Sequence, residues 1–215
     1  MNLQKNGEKS KMVTGTIVTI AGGILWGVSG VCGQYMFQNK GVTAPWLVSV
    51  RLVVAGLLML CYYFLTDREQ TLAIWKSKRD RRDVIIYGLL GMLPCQYAYF
   101  QTIEWSNAGT ATVIQYLGPA LIVIWVCFRT KRMPTLQEIT GVILAVIGVF
   151  LIATHGNPTS LALSGRALLM GLASAVSVAI YTLEPARLQK KYDTPLILAW
   201  GMTIGGVALT LISRP

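Results

Sequence analysis

The side chains best suited to handle a solute in this 215-residue chain are Trp26, Arg51, Gln96, Tyr97, Glu104, Gln115 and Tyr116. They are ionisable, amide or aromatic groups set in stretches that are otherwise apolar, where polar side chains are costly and face a cavity or a partner. The planar fork of Arg51 matches a carboxylate. Glu104 is a candidate for coupling or gating, receiving a proton during exchange. The aromatic and amide groups suit a zwitterionic or amphipathic solute. Pro94 and Pro119 each remove a backbone donor and kink a helix, and the carbonyls freed at such breaks line binding sites in carriers. At 1.5 Å per residue, Arg51, Glu104, Gln115 and Tyr116 fall at similar depths, so one outer layer could hold all four. The competing reading for Arg51 is that it pairs with Glu104 or snorkels to the headgroups. Tyr99 and Gln101 lie in the same region, and Glu184 reads as an interface residue.

The elements that must position these groups are membrane spans. The chain is 53% hydrophobic and 13% charged, half the charge of an ordinary soluble domain. Seven stretches approach the roughly 20 apolar residues that cross a bilayer: Val13 to Phe37, Trp46 to Leu65, Val84 to Trp105, Ala108 to Phe128, Leu136 to Thr154, Arg166 to Pro185 and Pro195 to Ile212. The first is too long for the apolar core of a signal peptide. The expected class is an all-α membrane protein, a helical bundle.

Charge placement sets orientation. The tail over residues 1–12 carries Lys5, Lys9 and Lys11, and the loops after spans two, four and six hold most of the other basic residues. In all, 15 of the 19 Lys and Arg lie on one side, which makes that side and the N-terminus cytoplasmic, in a multi-pass protein of the cell membrane. The net charge of +10 therefore describes topology and lipid contact; it forms no basic face for nucleic acid.

Shifting the chain by 150 residues overlays Gly15 on Gly165, Val28 on Val178, Lys40 on Lys190, Pro45 on Pro195 and Gly56 on Gly206. The offset contains five spans, an odd number, so the two copies insert in opposite senses, the inverted repeat common among secondary transporters. The expected organisation is a complete five-span repeat over 13–154 and the start of a second over 155–215. A full second copy would reach about residue 300, so the reading is of a truncated frame. The alternative is a seven-span protein completed by oligomerisation.

With that repeat, several motifs resemble the EamA-type drug/metabolite transporter superfamily. These are Ile24-Leu25-Trp26-Gly27, Arg51-Leu52, Gly118-Pro119-Ala120, and Thr135 to Gly141 leading into Val142 to Val149. The resemblance implies a ten-span carrier moving amino acids, other metabolites or drugs across the cytoplasmic membrane, often outward. Two departures stand out. The family's turn between spans four and five often holds an acid, where this chain reads Thr130-Lys131-Arg132-Met133-Pro134. Its span three often ends near an Ala-Leu pair, where this chain has Ile103-Glu104.

Other chemistry finds little support. His155 is the single histidine, so neither a zinc site nor a Ser-His-Asp arrangement is expected. No P-loop is present. Cys32, Cys61, Cys95 and Cys127 lie in spans without C-x-x-C spacing and read as packing residues. No cofactor or metal is called for. A membrane enzyme would need clustered acids or histidines, whereas Asp67, Glu69, Asp80 and Asp83 alternate with basic residues as in a solvated loop. Small residues four apart, such as Gly23 and Gly27 or Gly201 and Gly205, permit close helix packing within the bundle, with homodimerisation as the alternative. The expected function is export of a small metabolite or amino acid by alternating access. A drug carrier or a non-transporting fragment is the alternative, and an enzyme fits least well.

Overall fold

A computed structural model of the chain describes residues 2–154 and 163–214, and the side chains of residues 2–13 fall outside that description. His155 therefore lies outside the described residues. All described elements are helical. In chain order they are α1 (Asn2–Lys40), α2 (Ala44–Thr66), α3 (Arg68–Lys76), α4 (Lys78–Ile86), a π-helical turn (Tyr87–Met92), α5 (Leu93–Trp105), α6 (Ala108–Gln115), α7 (Leu117–Thr130), α8 (Leu136–Thr154), α9 (Gly165–Leu183), a 3-10 turn (Glu184–Lys190) and α10 (Thr194–Ser213). Six stretches are long and apolar enough to cross a membrane: Thr14–Lys40, Ala44–Thr66, Ala108–Thr130, Leu136–Thr154, Gly165–Lys190 and Thr194–Ser213. The remaining expected span, Val84 to Trp105, is a helical path divided between α4, the π turn and α5.

Local chemistry explains the boundaries. Gly41 ends α1 at φ 63°, a left-handed conformation that glycine adopts without a Cβ penalty. Pro45 and Pro195 sit in the first turns of α2 and α10, where the missing N–H would have no partner. Asn107 caps α6 by accepting from Thr110 N (2.8 Å). In the π turn, Leu93 N–H reaches back five residues to Gly88 O, and Pro94 follows, unable to donate. Between α7 and α8, Thr135 and Glu138 exchange backbone-to-side-chain bonds (3.3 and 2.7 Å), a capping box. Arg132 adds a two-pronged contact to Glu138 (2.8 and 2.6 Å). The acid missing from 130–134 is thus supplied to the turn from α8.

The bundle is held by close crossings at glycines. The most intimate joins α2 to α10. A Cβ on Gly56 would sit 2.7 Å from Thr203 N, and one on Gly206 2.8 Å from Val53 N. Farther along, Tyr63 lies beside Pro195, so the two helices run antiparallel. Gly118 meets Val178 and Gly171 meets Ile114, which sets α6 and α7 parallel to α9. The main core packs Val48, Leu52, Tyr87, Met92, Phe100, Leu196 and Ile197 between these elements.

This arrangement brings α4 and the segment after α9 to one end of the bundle and corrects the reading of Asp80 as a solvated loop acid. Asp80 is 1% exposed. Its carboxylate accepts from Arg187 Nη2 (2.6 Å), Lys191 Nζ (3.2 Å) and the Tyr192 hydroxyl (3.1 Å). Arg187 Nε also donates to Asp83 (2.7 Å). Trp200 Nε1 donates to Thr71 O (3.3 Å) at the same end. Burial alone would raise the Asp80 carboxyl, but the bonds from Arg187, Lys191 and Tyr192 outweigh it and hold the group below its usual value of 3.8.

Two predictions follow from these contacts, both read as thermal unfolding of detergent-solubilised protein by circular dichroism. Gly206→Ala forces α2 and α10 apart. At about 1–3 kcal/mol for overpacking and roughly 2–4 °C per kcal/mol, it lowers Tm by about 3–10 °C. Gly23→Ala, with nothing within 4 Å of the new Cβ, leaves Tm unchanged or slightly raised; equal losses at both sites would refute the crossing. Asp80→Asn lowers Tm by about 5 °C at neutral pH, from the loss of charge-assisted hydrogen bonds. Because the folded pKa is depressed, the Asp80 contribution is present above about pH 4 and disappears as pH falls through the folded value. The wild-type protein therefore shows an acid-dependent loss that Asp80→Asn lacks, and superimposable pH profiles would contradict the ionic cluster.

Candidate functional site

The two proline-marked breaks converge on one region. After the π turn, α5 presents Cys95 and Gln96, with Tyr99 and Phe100 four residues on along the same faces. Across from it the helical path over 108–130 breaks at Tyr116 (ψ −2°) between α6 and α7. Pro119 has no N–H to offer the carbonyl of Gln115, four residues earlier. A cavity of about 270 Å³ lies between these breaks, walled by Trp26 of α1, Gln96, Gln115, Tyr116, Pro119 and Tyr181.

The polar groups around this cavity are ordered by specific bonds. Gln115 Nε2 donates to Ser174 Oγ of α9 (2.7 Å). The Thr112 hydroxyl donates to Ala108 O (2.8 Å), so in its 2.9 Å contact with Tyr99 the tyrosine hydroxyl is the donor. The Tyr99 ring also lies 5.6 Å from that of Trp26. On the side toward Asp80, the wall residue Tyr181 stacks on Tyr87 at 5.6 Å and 27°. Beyond that pair come Asp83 and Arg187. The cavity is separated from this end by an aromatic layer and then an ionic one.

Gln96 also borders a second cavity, of about 350 Å³, between α2, α5 and α10, with Arg51, Val48, Leu52, Ala55 and Met202 in its wall. The Arg51 guanidinium carbon sits 4.3 Å over the Phe100 ring, and Phe100 is 1% exposed. Arg51 therefore lays its guanidinium against a core ring. Its Nη1 is buried without a hydrogen-bond partner.

The structure thus unites part of the expected set and separates the rest. Trp26, Gln96, Gln115, Tyr116 and Pro119 share one cavity, while Arg51 joins Gln96 in its neighbour. The expected layer of Arg51, Glu104, Gln115 and Tyr116 does not form. Glu104 accepts from Ala44 N (2.9 Å), capping α2, and from Gln101 Nε2 (2.9 Å); no ion pair to Arg51 occurs among the described residues. Glu104 reaches the start of α2, about 10 Å along that helix from Arg51, so the two do not meet. Tyr97 lines neither cavity and packs against the core. Glu184 borders an apolar groove of about 610 Å³ between α7 and α9, away from Gln96. Thr112, Ser174, Tyr181 and Phe100 escaped the sequence reading. Thr112 and Phe100 were within reach, lying three residues before Gln115 and four after Gln96 on the same helical faces. Ser174 and Tyr181 depend on how α9 docks.

Comparison with known proteins bears on the whole assembly. The model of the EamA-like transporter family matches residues 13–154. The chain is 38% identical over 195 residues to the Salmonella typhimurium protein named "Uncharacterized inner membrane transporter YicL", covering 91% of this chain and 65% of that one. An "Uncharacterized transporter" of Archaeoglobus fulgidus is 26% identical over 186 residues, covering 86% of this chain and 62% of its own length. The chain thus spans a little under two-thirds of the length of these relatives. A solved structure described as "Crystal structure of protein" superposes with a TM-score of 0.56 over 88% of this chain and 66% of that one, at 16% identity, a likeness of fold alone. On the family match and the 38% identity, the chain, an all-α membrane protein, belongs to the EamA-like transporter family.

Proposed function

We propose that this chain carries the solute path of a secondary transporter that moves a small metabolite or amino acid outward across the cell membrane by alternating access. The observation that carries the proposal is the cavity around Gln96 and Gln115. It lies between two helix breaks and is closed toward one end by the Tyr87–Tyr181 stack and the Asp80–Arg187 cluster. A cavity between helix breaks is where a carrier of this build would bind its solute.

A reciprocal pair of glycine contacts supports the same reading. Gly56 meets Thr203 while Gly206 meets Val53, and each of these contacts becomes the other under the 150-residue shift. A reciprocal contact of this kind is what two copies related by an approximate two-fold axis make, and antiparallel α2 and α10 fit copies inserted in opposite senses. The end that holds Asp80, Arg187 and Arg129 is rich in basic residues, which argues for a cytoplasmic placement. The first repeat would then occupy 13–154 and the second begin within 155–215. A membrane enzyme is disfavoured because Asp80 and Asp83 are neutralised by Arg187 and Lys191 and have no free carboxylate pair to offer a reaction.

Flux into proteoliposomes made with this chain tests the proposal, using labelled amino acids, carboxylates and cationic drugs under a proton gradient or solute exchange. At least one solute is taken up, and Gln96→Ala lowers that flux about tenfold, the equivalent of one hydrogen bond of about 1.4 kcal/mol, with Tm unchanged. Absence of flux for every solute, or wild-type flux in Gln96→Ala, overturns it.

A further inference from the structure

Among the described residues, the charge of Arg51 beside this cavity has no counter-charge. Arg51 lies in the second turn of α2, about 10 Å along the helix from Ala44. Its guanidinium lies over Phe100, with Nη1 buried and without a hydrogen-bond partner among the described residues. The expected partner, Glu104, is committed to Ala44 and Gln101. An arginine cannot shed its proton to relieve this, and an unpaired charge within a span is costly. The deficit calls for a negative group that comes and goes.

We infer that this cavity binds a small organic anion, a carboxylate with a short apolar body, and selects it over amines and zwitterions. The Arg51 fork offers parallel donors to one carboxylate. The walls beyond it are Val48, Leu52, Ala55 and Met202 within and the exposed Val50, Val54 and Leu58 at the rim, with Gln96 as the other polar side chain. Among the described residues no Asp or Glu lines this cavity, so an ammonium entering with the carboxylate would be desolvated without a partner. Discrimination against amino acids thus comes from an absence of acids, and against amines from repulsion by Arg51. This identification rests on the carrier reading only for its transport consequence, since binding at Arg51 is measured without flux. The negative group has two sources, a dissolved carboxylate or an anionic lipid headgroup. The geometry favours the former because the guanidinium lies over the buried Phe100 ring.

The test is isothermal titration of the full chain in nanodiscs of zwitterionic lipid with four probes sharing a five-carbon body: pentanoate, pentanamide, pentylamine and norvaline. Pentanoate binds, and the other three bind at least tenfold more weakly. Arg51→Gln lowers pentanoate affinity tenfold or more, and Arg51→Lys, keeping the charge but losing the fork, falls between. Gln96→Glu supplies the missing acid beside Arg51; it weakens pentanoate and strengthens pentylamine or norvaline, a switch that a merely misfolded variant cannot produce. Equal or tighter binding of pentylamine or norvaline to the wild-type chain overturns the inference, as does pentanoate binding that survives Arg51→Gln. Silence from pentanoate up to about 10 mM also overturns it. Loss of pentanoate binding when the discs contain phosphatidylglycerol assigns the site to a headgroup and overturns the solute assignment. Norvaline flux without pentanoate binding leaves the carrier standing and this inference fallen; pentanoate binding with no flux of any solute does the reverse.

Discussion

The crossing of α2 and α10 is the contact on which the rest of the molecule depends. In lipid, apolar faces gain little by leaving the solvent, so helices associate through close packing and polar contacts. Gly56 and Gly206 let the two backbones approach until each glycine touches main-chain atoms of the other helix. Because the helices run antiparallel, that crossing returns the start of α10 to the level of Thr71 and Trp75, where Trp200 docks. It also carries the segment before α10 to α4. Asp80 and Arg187, 107 residues apart in sequence, meet because the crossing leaves them at one end.

The same geometry creates the cavities. With α2 fastened to α10, and α6 and α7 to α9, the helix that packs on both pairs is α5, most extensively on α9. The π turn before α5 and the break at Tyr116 prevent continuous ridge-into-groove packing there. A side chain that would fill a gap between straight helices instead borders space, and Gln96 ends up bordering two. Polar groups in that interior are paired where they are structural, as with Gln115 on Ser174 and Tyr99 on Thr112. Arg51 departs from this pattern.

Much of this was legible in the residues. Apolar length located the spans, and Pro45 and Pro195 marked equivalent helix starts. The 150-residue shift picked out Gly56 and Gly206 before their contact was known. Pro94 and Pro119 marked the breaks because a missing N–H has a local effect. Failures came where the answer depends on rotation about a helix axis, at roughly 100° per residue, which apolar sequence does not encode when neighbouring protein and lipid are equally oily. Glu104 missed in depth as well, reaching the start of α2, about 10 Å along that helix from Arg51. Tyr97, one residue from Gln96, points into the core. Asp80 looked solvated because its partners lie beyond a hundred intervening residues. Nothing near it in sequence distinguishes it from Asp67, which only caps α3.

The central claim is an antiparallel arrangement in which the segments around residues 76 and 190 share one end of the bundle while the α5–α6 junction lies at the other. Single cysteines introduced at Lys76, Lys190 and Ser106 in a cysteine-free background, labelled with a membrane-impermeant maleimide in right-side-out and inverted vesicles, measure this directly. The account predicts labelling of positions 76 and 190 from the same face and of position 106 from the opposite one. Positions 76 and 190 labelling from opposite faces would contradict it.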